Sequence, residues 1–94
     1  MPIYWTQRAR RQFLAILDAV LEENPAAAAR VYDAITDSVA RLGTFPEMGR
    51  RGRVSGTREL VIASQPYIVA YRTRGQTIHI LAVLHGAQKW PERF

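Results

Sequence analysis

The chain has no cysteine among its 94 residues, which excludes disulfide stapling and thiolate metal sites and fits a small domain in a reducing compartment. It has two histidines, which without cysteine offer no metal-ligand spacing; no metal and no cofactor are expected. No segment approaches the roughly 20 apolar residues of a membrane span. Met1-Pro2-Ile3-Tyr4-Trp5 runs straight into Thr6-Gln7-Arg8, without the charged-then-apolar layout of a secretory signal. A cytoplasmic protein with no membrane contact is expected. Gly49-Arg50-Arg51-Gly52-Arg53 lacks the lysine and the spacing of a nucleotide P-loop, and no Ser/His/Asp order or nucleophile elbow occurs.

Hydrophobic residues make up 48% and charged residues 22% of the chain, too apolar for disorder and ordinary for a globular protein. At this length residues 1–94 are expected to form one domain, since neither half could bury enough apolar surface alone. Charge is divided unevenly. Residues 1–47 carry five arginines against six acids, and residues 48–94 carry seven arginines and one lysine against two glutamates. The net charge of +5 therefore belongs to the C-terminal half. Because nearly every cation is arginine, whose planar fork matches phosphate and carboxylate, an anionic partner is indicated.

The pattern predicts an α+β domain. Pro2 to Trp5 reads as a short strand, and Thr6 as the N-cap of a helix reaching about Glu23. In that helix Ala9, Phe13, Ile16, Leu17, Val20 and Leu21 recur at three- and four-residue steps. Asn24-Pro25 breaks the chain, with Pro25 suited to a first helical position. A second helix then carries Ala28, Val31, Ile35, Val39 and Leu42 until Gly43. The two helices form an antiparallel hairpin. Residues 43–56 are aperiodic, and a connection of that length is more often functional than merely connective. Thr57–Ala63, Tyr67–Thr73 and Thr77–Leu84 read as strands joined by short turns, hence antiparallel. The last is apolar on both parities and is expected to be central.

Strand alternation places Arg58 with Leu60 and Ile62, Arg72 with Ile68 and Ala70, and His79 with Leu81, Val83 and His85. Were Arg58, Arg72 and His85 to converge, they would supply two phosphate forks and one group titrating near neutrality, part of what metal-free RNA cleavage needs. The plainer readings are a hydrogen-bonded structural histidine and an ion pair of Arg58 with Glu59. Arg50, Arg51 and Arg53 are candidates for anion or partner binding, or else a solvated surface. Trp5, Tyr67, Tyr71 and Trp90 are read as packing residues rather than base-stacking platforms.

The ordered series of an opening strand, a hairpin around Asn24-Pro25, Leu42 with Phe45-Pro46 and Gly49, then Arg58-Glu59-Leu60, Pro66-Tyr67-Ile68-Val69, Tyr71-Arg72 and Leu84-His85 resembles the RelE/ParE toxins across nearly the whole chain. The resemblance implies a short N-terminal strand and a two-helix hairpin packed on a three- to four-stranded antiparallel sheet. It also implies a cognate antitoxin, a largely flexible segment of which wraps the toxin and folds on it, in a heterodimer or heterotetramer. RNA-cleaving members place arginines on the sheet and commonly follow a basic or histidine-containing last strand with a tyrosine or further basic residues; the matching positions here are Arg58, Arg72 and His85, followed by Gly86-Ala87-Gln88 with no tyrosine in the tail. The ending His85-Gly86-Ala87-Gln88-Lys89-Trp90-Pro91 looks more like the ParE branch, whose members poison DNA gyrase without being nucleases. On that reading Arg50, Arg51, Arg53, Lys89, Trp90 and Arg93 make the target contact. The alternatives are a ribosome-dependent mRNA endonuclease and an inactive member that only binds its antitoxin.

Overall fold

Thr6 ends the first strand and opens the first helix. In the computed structural model, which describes residues 1–94, β1 spans Ile3–Trp5 and α1 spans Gln7–Glu23. The Thr6 hydroxyl accepts from the Ala9 N–H at 3.2 Å and donates to the Ile80 carbonyl at 2.8 Å, so one side chain caps the helix and ties its start to the sheet. Asn24 separates α1 from α2 (Pro25–Arg41) and serves both: its N–H reaches the Val20 carbonyl and its Oδ1 accepts from the Ala27 N–H at 3.1 Å. Both predicted helices are thus present, with α2 passing through a turn at Leu42–Thr44.

The remaining elements are β2 (Arg50–Arg51), β3 (Arg58–Val61), β4 (Tyr67–Arg74) and β5 (Thr77–His85), and the strands form one sheet in the order β1-β5-β4-β3-β2. The sheet is five-stranded and mixed, whereas a three- to four-stranded antiparallel sheet was expected. The difference lies at both edges. β1 pairs parallel with β5 through Ile3↔Ile78, Tyr4↔His79 and Trp5↔Ile80, because the helical hairpin separates it from the rest and leaves its direction free. β2 forms inside the supposedly irregular 43–56 segment, pairing Arg50↔Glu59 and Arg51↔Arg58. As expected, β5 is interior, between β1 and β4.

The helices cover one face of the sheet. Ala9 and Phe13 of α1 and Val31, Ile35 and Val39 of α2 join Leu42, Leu60, Val69, Tyr71, Ile78, Ile80 and Val83 in the main core. Trp5, Phe13 and Tyr32 stack in sequence, with centroids 5.4 and 5.8 Å apart. Leu21, expected on the apolar stripe, is 52% exposed. The other face carries a smaller cluster, Ala70, Ala82 and Leu84, covered by Trp90 and Phe94 of the C-terminal tail.

Between Ala70↔Ala82 and Tyr71↔Ile80 the β4–β5 register slips by one residue, leaving Leu81 as the extra one. A one-residue bulge reverses the parity of everything beyond it. His79 and His85 therefore do not share a face, contrary to simple alternation: His79 pairs with Arg72 and His85 with Tyr67.

Candidate functional site

The charged part of the molecule is built around a buried carboxylate. Alternation on β3 turns Glu59 away from the helices, and its side chain is only 1% exposed. Its Oε1 accepts from Arg50 Nη2 at 2.9 Å and Nε at 3.2 Å. Its Oε2 accepts from the Arg53 N–H at 2.8 Å, with Arg53 Nε at 3.4 Å. Burial pushes the Glu59 carboxyl up, but the Arg53 backbone and Arg50 side-chain hydrogen bonds, with the two positive charges, outweigh it and hold the group below its ordinary value. The expected Arg58–Glu59 ion pair does not form. Neighbours on one strand point to opposite faces, so Glu59 pairs with the arginines of β2 and the following turn instead.

Arg53 carries the linkage on to the tail, its guanidinium carbon 4.1 Å from the centroid of the Trp90 ring. Trp90 meets Phe94 edge-on, and Arg8 of α1 lies 5.9 Å from the Phe94 ring. These contacts lay the tail across the second face of the sheet. Lys89 and Arg93 remain exposed.

A second hydroxyl network sits on the helix side. Tyr71 is fully buried; its hydroxyl accepts from the Gly49 N–H at 2.9 Å and donates to the Pro46 carbonyl at 2.8 Å, fixing the entry to β2. Burial pushes the Tyr71 hydroxyl above its ordinary value of 10.0, against the opposing Gly49 hydrogen bond and Arg58 charge. Its packing role was legible, but its control of the loop was not.

Arg51, Arg58 and Arg72 meet at one cavity of about 380 Å³, completed by Gly52, Ser55, Gly56, Thr57 and Thr73, with no hydrophobic residue in its lining. Arg58 belongs to the helix-facing set through its pairing with Tyr71, and Arg72 to the opposite set; both reach this end of the sheet. His85 does not join them. It opposes Tyr67 at the other end of β4, so four to five residues of strand, about 13–17 Å, separate its position from theirs. Its Nδ1 accepts from the Ala87 N–H at 3.0 Å, its N–H donates to Gln88 Oε1, and its ring meets Tyr67 edge-on. These contacts cap the turn that starts the tail.

Residues 3–90 match the family described as ParE toxin of the type II toxin-antitoxin system parDE. The chain is 43% identical over 90 residues to Y4kP, a candidate toxin of Sinorhizobium fredii, covering 96% of this chain and 93% of that protein. It is 31% identical over 86 residues to Toxin RelE2 of Caulobacter vibrioides, covering 92% and 96%. Among solved structures, a chain of the chromosomal ParDE TA system from P. aeruginosa superposes with a TM-score of 0.81 at 27% identity, covering 90% of this chain and 95% of that one.

Proposed function

The chain belongs to the ParE toxin family of type II toxin-antitoxin systems, and from that premise we propose that it arrests growth by poisoning DNA gyrase until its antitoxin sequesters it. The observation that carries this reading is the placement of His85. A nuclease acting without metal needs a proton-transfer group beside the cations that hold the phosphate. His85 is four to five residues of strand from Arg58 and Arg72, and its Nδ1 is already engaged by the Ala87 N–H. Docking without chemistry suits the exposed arginines of β2 and the cations of the tail better. In this reading Arg50, Arg51 and Arg53 with Lys89, Trp90 and Arg93 form the contact with the topoisomerase, since Arg53 and Trp90 already join the two segments.

A ribosome-dependent mRNA endonuclease is the second reading. It is favoured by the meeting of Arg58 and Arg72 at one polar cavity and by the naming of relatives as RelE toxins. Purified protein added to gyrase with relaxed plasmid decides between them. Loss of supercoiling with accumulation of linear DNA, reversed by the antitoxin, is the expected result; unaffected gyrase together with ribosome-dependent cleavage of message would replace this function with the second.

A further inference from the structure

We propose that Phe45, Met48 and Val61 form the apolar anchor by which the chain docks on its target protein, the DNA gyrase of the proposed function, on which reading the choice of partner rests. These side chains are 59%, 40% and 53% exposed, and they fall together rather than singly. Met48 lines one groove with Phe45 and a second, of about 350 Å³, with Leu60, Val61, Arg41 and Arg50. Apolar side chains scattered over a surface need no explanation, whereas a contiguous patch rimmed by polar groups marks a protein interface.

The patch is held rigidly. The Phe45 N–H donates to the Arg41 carbonyl at 2.9 Å and the Met48 N–H to the Phe45 carbonyl at 3.1 Å, so a tight turn follows α2 and displays both side chains. The Tyr71 hydroxyl fastens that turn from beneath at Pro46 and Gly49, and Val61 ends β3. A partner therefore meets anchors already in place, which lowers the ordering entropy lost on binding.

The rim defines the kind of partner that fits. Arg41 at the end of α2 donates from Nη2 to the Ser38 hydroxyl at 3.3 Å, and Arg50, held by Glu59, keeps its side chain 55% exposed. Glu59 itself is buried and shared between Arg50 and Arg53, so Glu47 is the one exposed acid of the two grooves against two arginines. The complement is an apolar prominence ringed by carboxylates. Arg50 belongs both to this rim and to the cations assigned to the topoisomerase, so the patch continues that contact and supplies what it lacks. Charges steer an encounter and fix its orientation, but affinity concentrates in a few central anchors, where phenylalanine and methionine are enriched.

The test is inhibition of gyrase supercoiling by the purified full-length protein, with antitoxin affinity and sedimentation velocity measured on the same samples. Phe45→Ser and Met48→Ser are each expected to raise the half-inhibitory concentration about tenfold. Leu14→Ser, an apolar residue of α1 that is 50% exposed, should leave it unchanged. Urea midpoints check folding; should either serine variant unfold, Met48→Gln, similar in length but polar, carries the same expectation. Lost inhibition at Phe45 and Met48 supports the anchor whether or not antitoxin affinity falls too, because an antitoxin can act by covering it. Undiminished inhibition in both variants would overturn it: a fall in antitoxin affinity alone would give the patch to the antitoxin, and a wild-type dimer that the variants dissociate would give it to a second copy of the chain. A wild-type protein that leaves gyrase untouched removes the target and the anchor together, a result distinct from inhibition that survives the substitutions.

Discussion

Arg53 sits over the indole of Trp90, its guanidinium carbon 4.1 Å from the ring centroid, while its backbone N–H and Nε both reach Glu59. A buried carboxylate on the sheet thus reaches the C-terminal tail through a single arginine. The order of dependence is Glu59, then Arg53, then Trp90, and it can be taken apart one residue at a time.

Trp90→Ala is expected to uncover Ala70, Ala82 and Leu84 and to cost about 2–3 kcal/mol, somewhat below a fully buried tryptophan. Trp90→Phe keeps an aromatic ring, though a smaller one, and removes Nε1, which is buried without a hydrogen-bond partner, so its cost should be smaller. Urea denaturation of both variants checks the pair. Equal losses would mean that the ring itself contributes nothing to holding the tail.

Glu59→Gln keeps the shape and removes the charge that Arg50 and Arg53 share. A loss of about 2 kcal/mol is expected at neutral pH, less than for a fully buried pair because both arginines are about half exposed. Since the folded Glu59 carboxyl lies below its ordinary value of 4.5, its contribution is fully present above that value and is lost as pH falls through the folded one. Wild type should therefore destabilise more steeply than Glu59→Gln below pH 4.5. Parallel acid profiles for the two proteins would contradict this.

Tyr71→Phe leaves the Gly49 N–H and the Pro46 carbonyl without their partner, at an expected cost of about 1–3 kcal/mol. Here the sign is opposite to that of Glu59. The folded Tyr71 hydroxyl lies above 10.0, so its contribution is intact below that pH and is lost as pH rises through the folded value. The phenylalanine variant should lack that share of the alkaline loss, as thermal unfolding on both sides of pH 10.0 would reveal.

Gly49→Ala should fail for steric reasons. A Cβ there would lie 2.7 Å from the Tyr71 hydroxyl and 3.0 Å from the Glu59 carbonyl, where ordinary side chains are not found. Overpacking of this kind costs about 1–3 kcal/mol. Tyr71→Phe removes the hydroxyl but keeps the ring carbon that also lies 2.7 Å away, so combining the two should recover only part of that loss; strict additivity in a double-mutant cycle would show that the hydroxyl is not the obstacle.

His85→Ala separates the two functional readings. It removes the Nδ1 acceptor for Ala87 and the edge contact with Tyr67, both at an exposed turn, and should cost under about 1 kcal/mol. Growth arrest on induced expression is expected to persist. Abolished toxicity in a normally folded variant would instead favour RNA cleavage.

Helix boundaries were written locally. Thr6 and Asn24 cap by reaching three residues ahead, Pro25 suits a helix start, and apolar spacing marks the buried faces of both helices. The ParE-like ending was legible too, because its residues are contiguous. The arginine cavity was partly legible: Arg51, Arg58 and Arg72 stood out as candidates, but their meeting was not implied by their spacing.

The sequence by itself determined two helices, three main strands, an arginine-rich C-terminal half and membership of a toxin family, since composition, period and capping act over a few residues. Tertiary structure alone decided that β1 joins β5 in parallel, that Arg50–Arg51 becomes an edge strand, and that Glu59 answers to Arg50 and Arg53 rather than Arg58. It also decided, through one extra residue at Leu81, that His79 and His85 point to opposite faces. Alternation is exact only while register holds. A slip of one residue in β5 is set by packing on both sides of the sheet, and no local pattern along that strand encodes it.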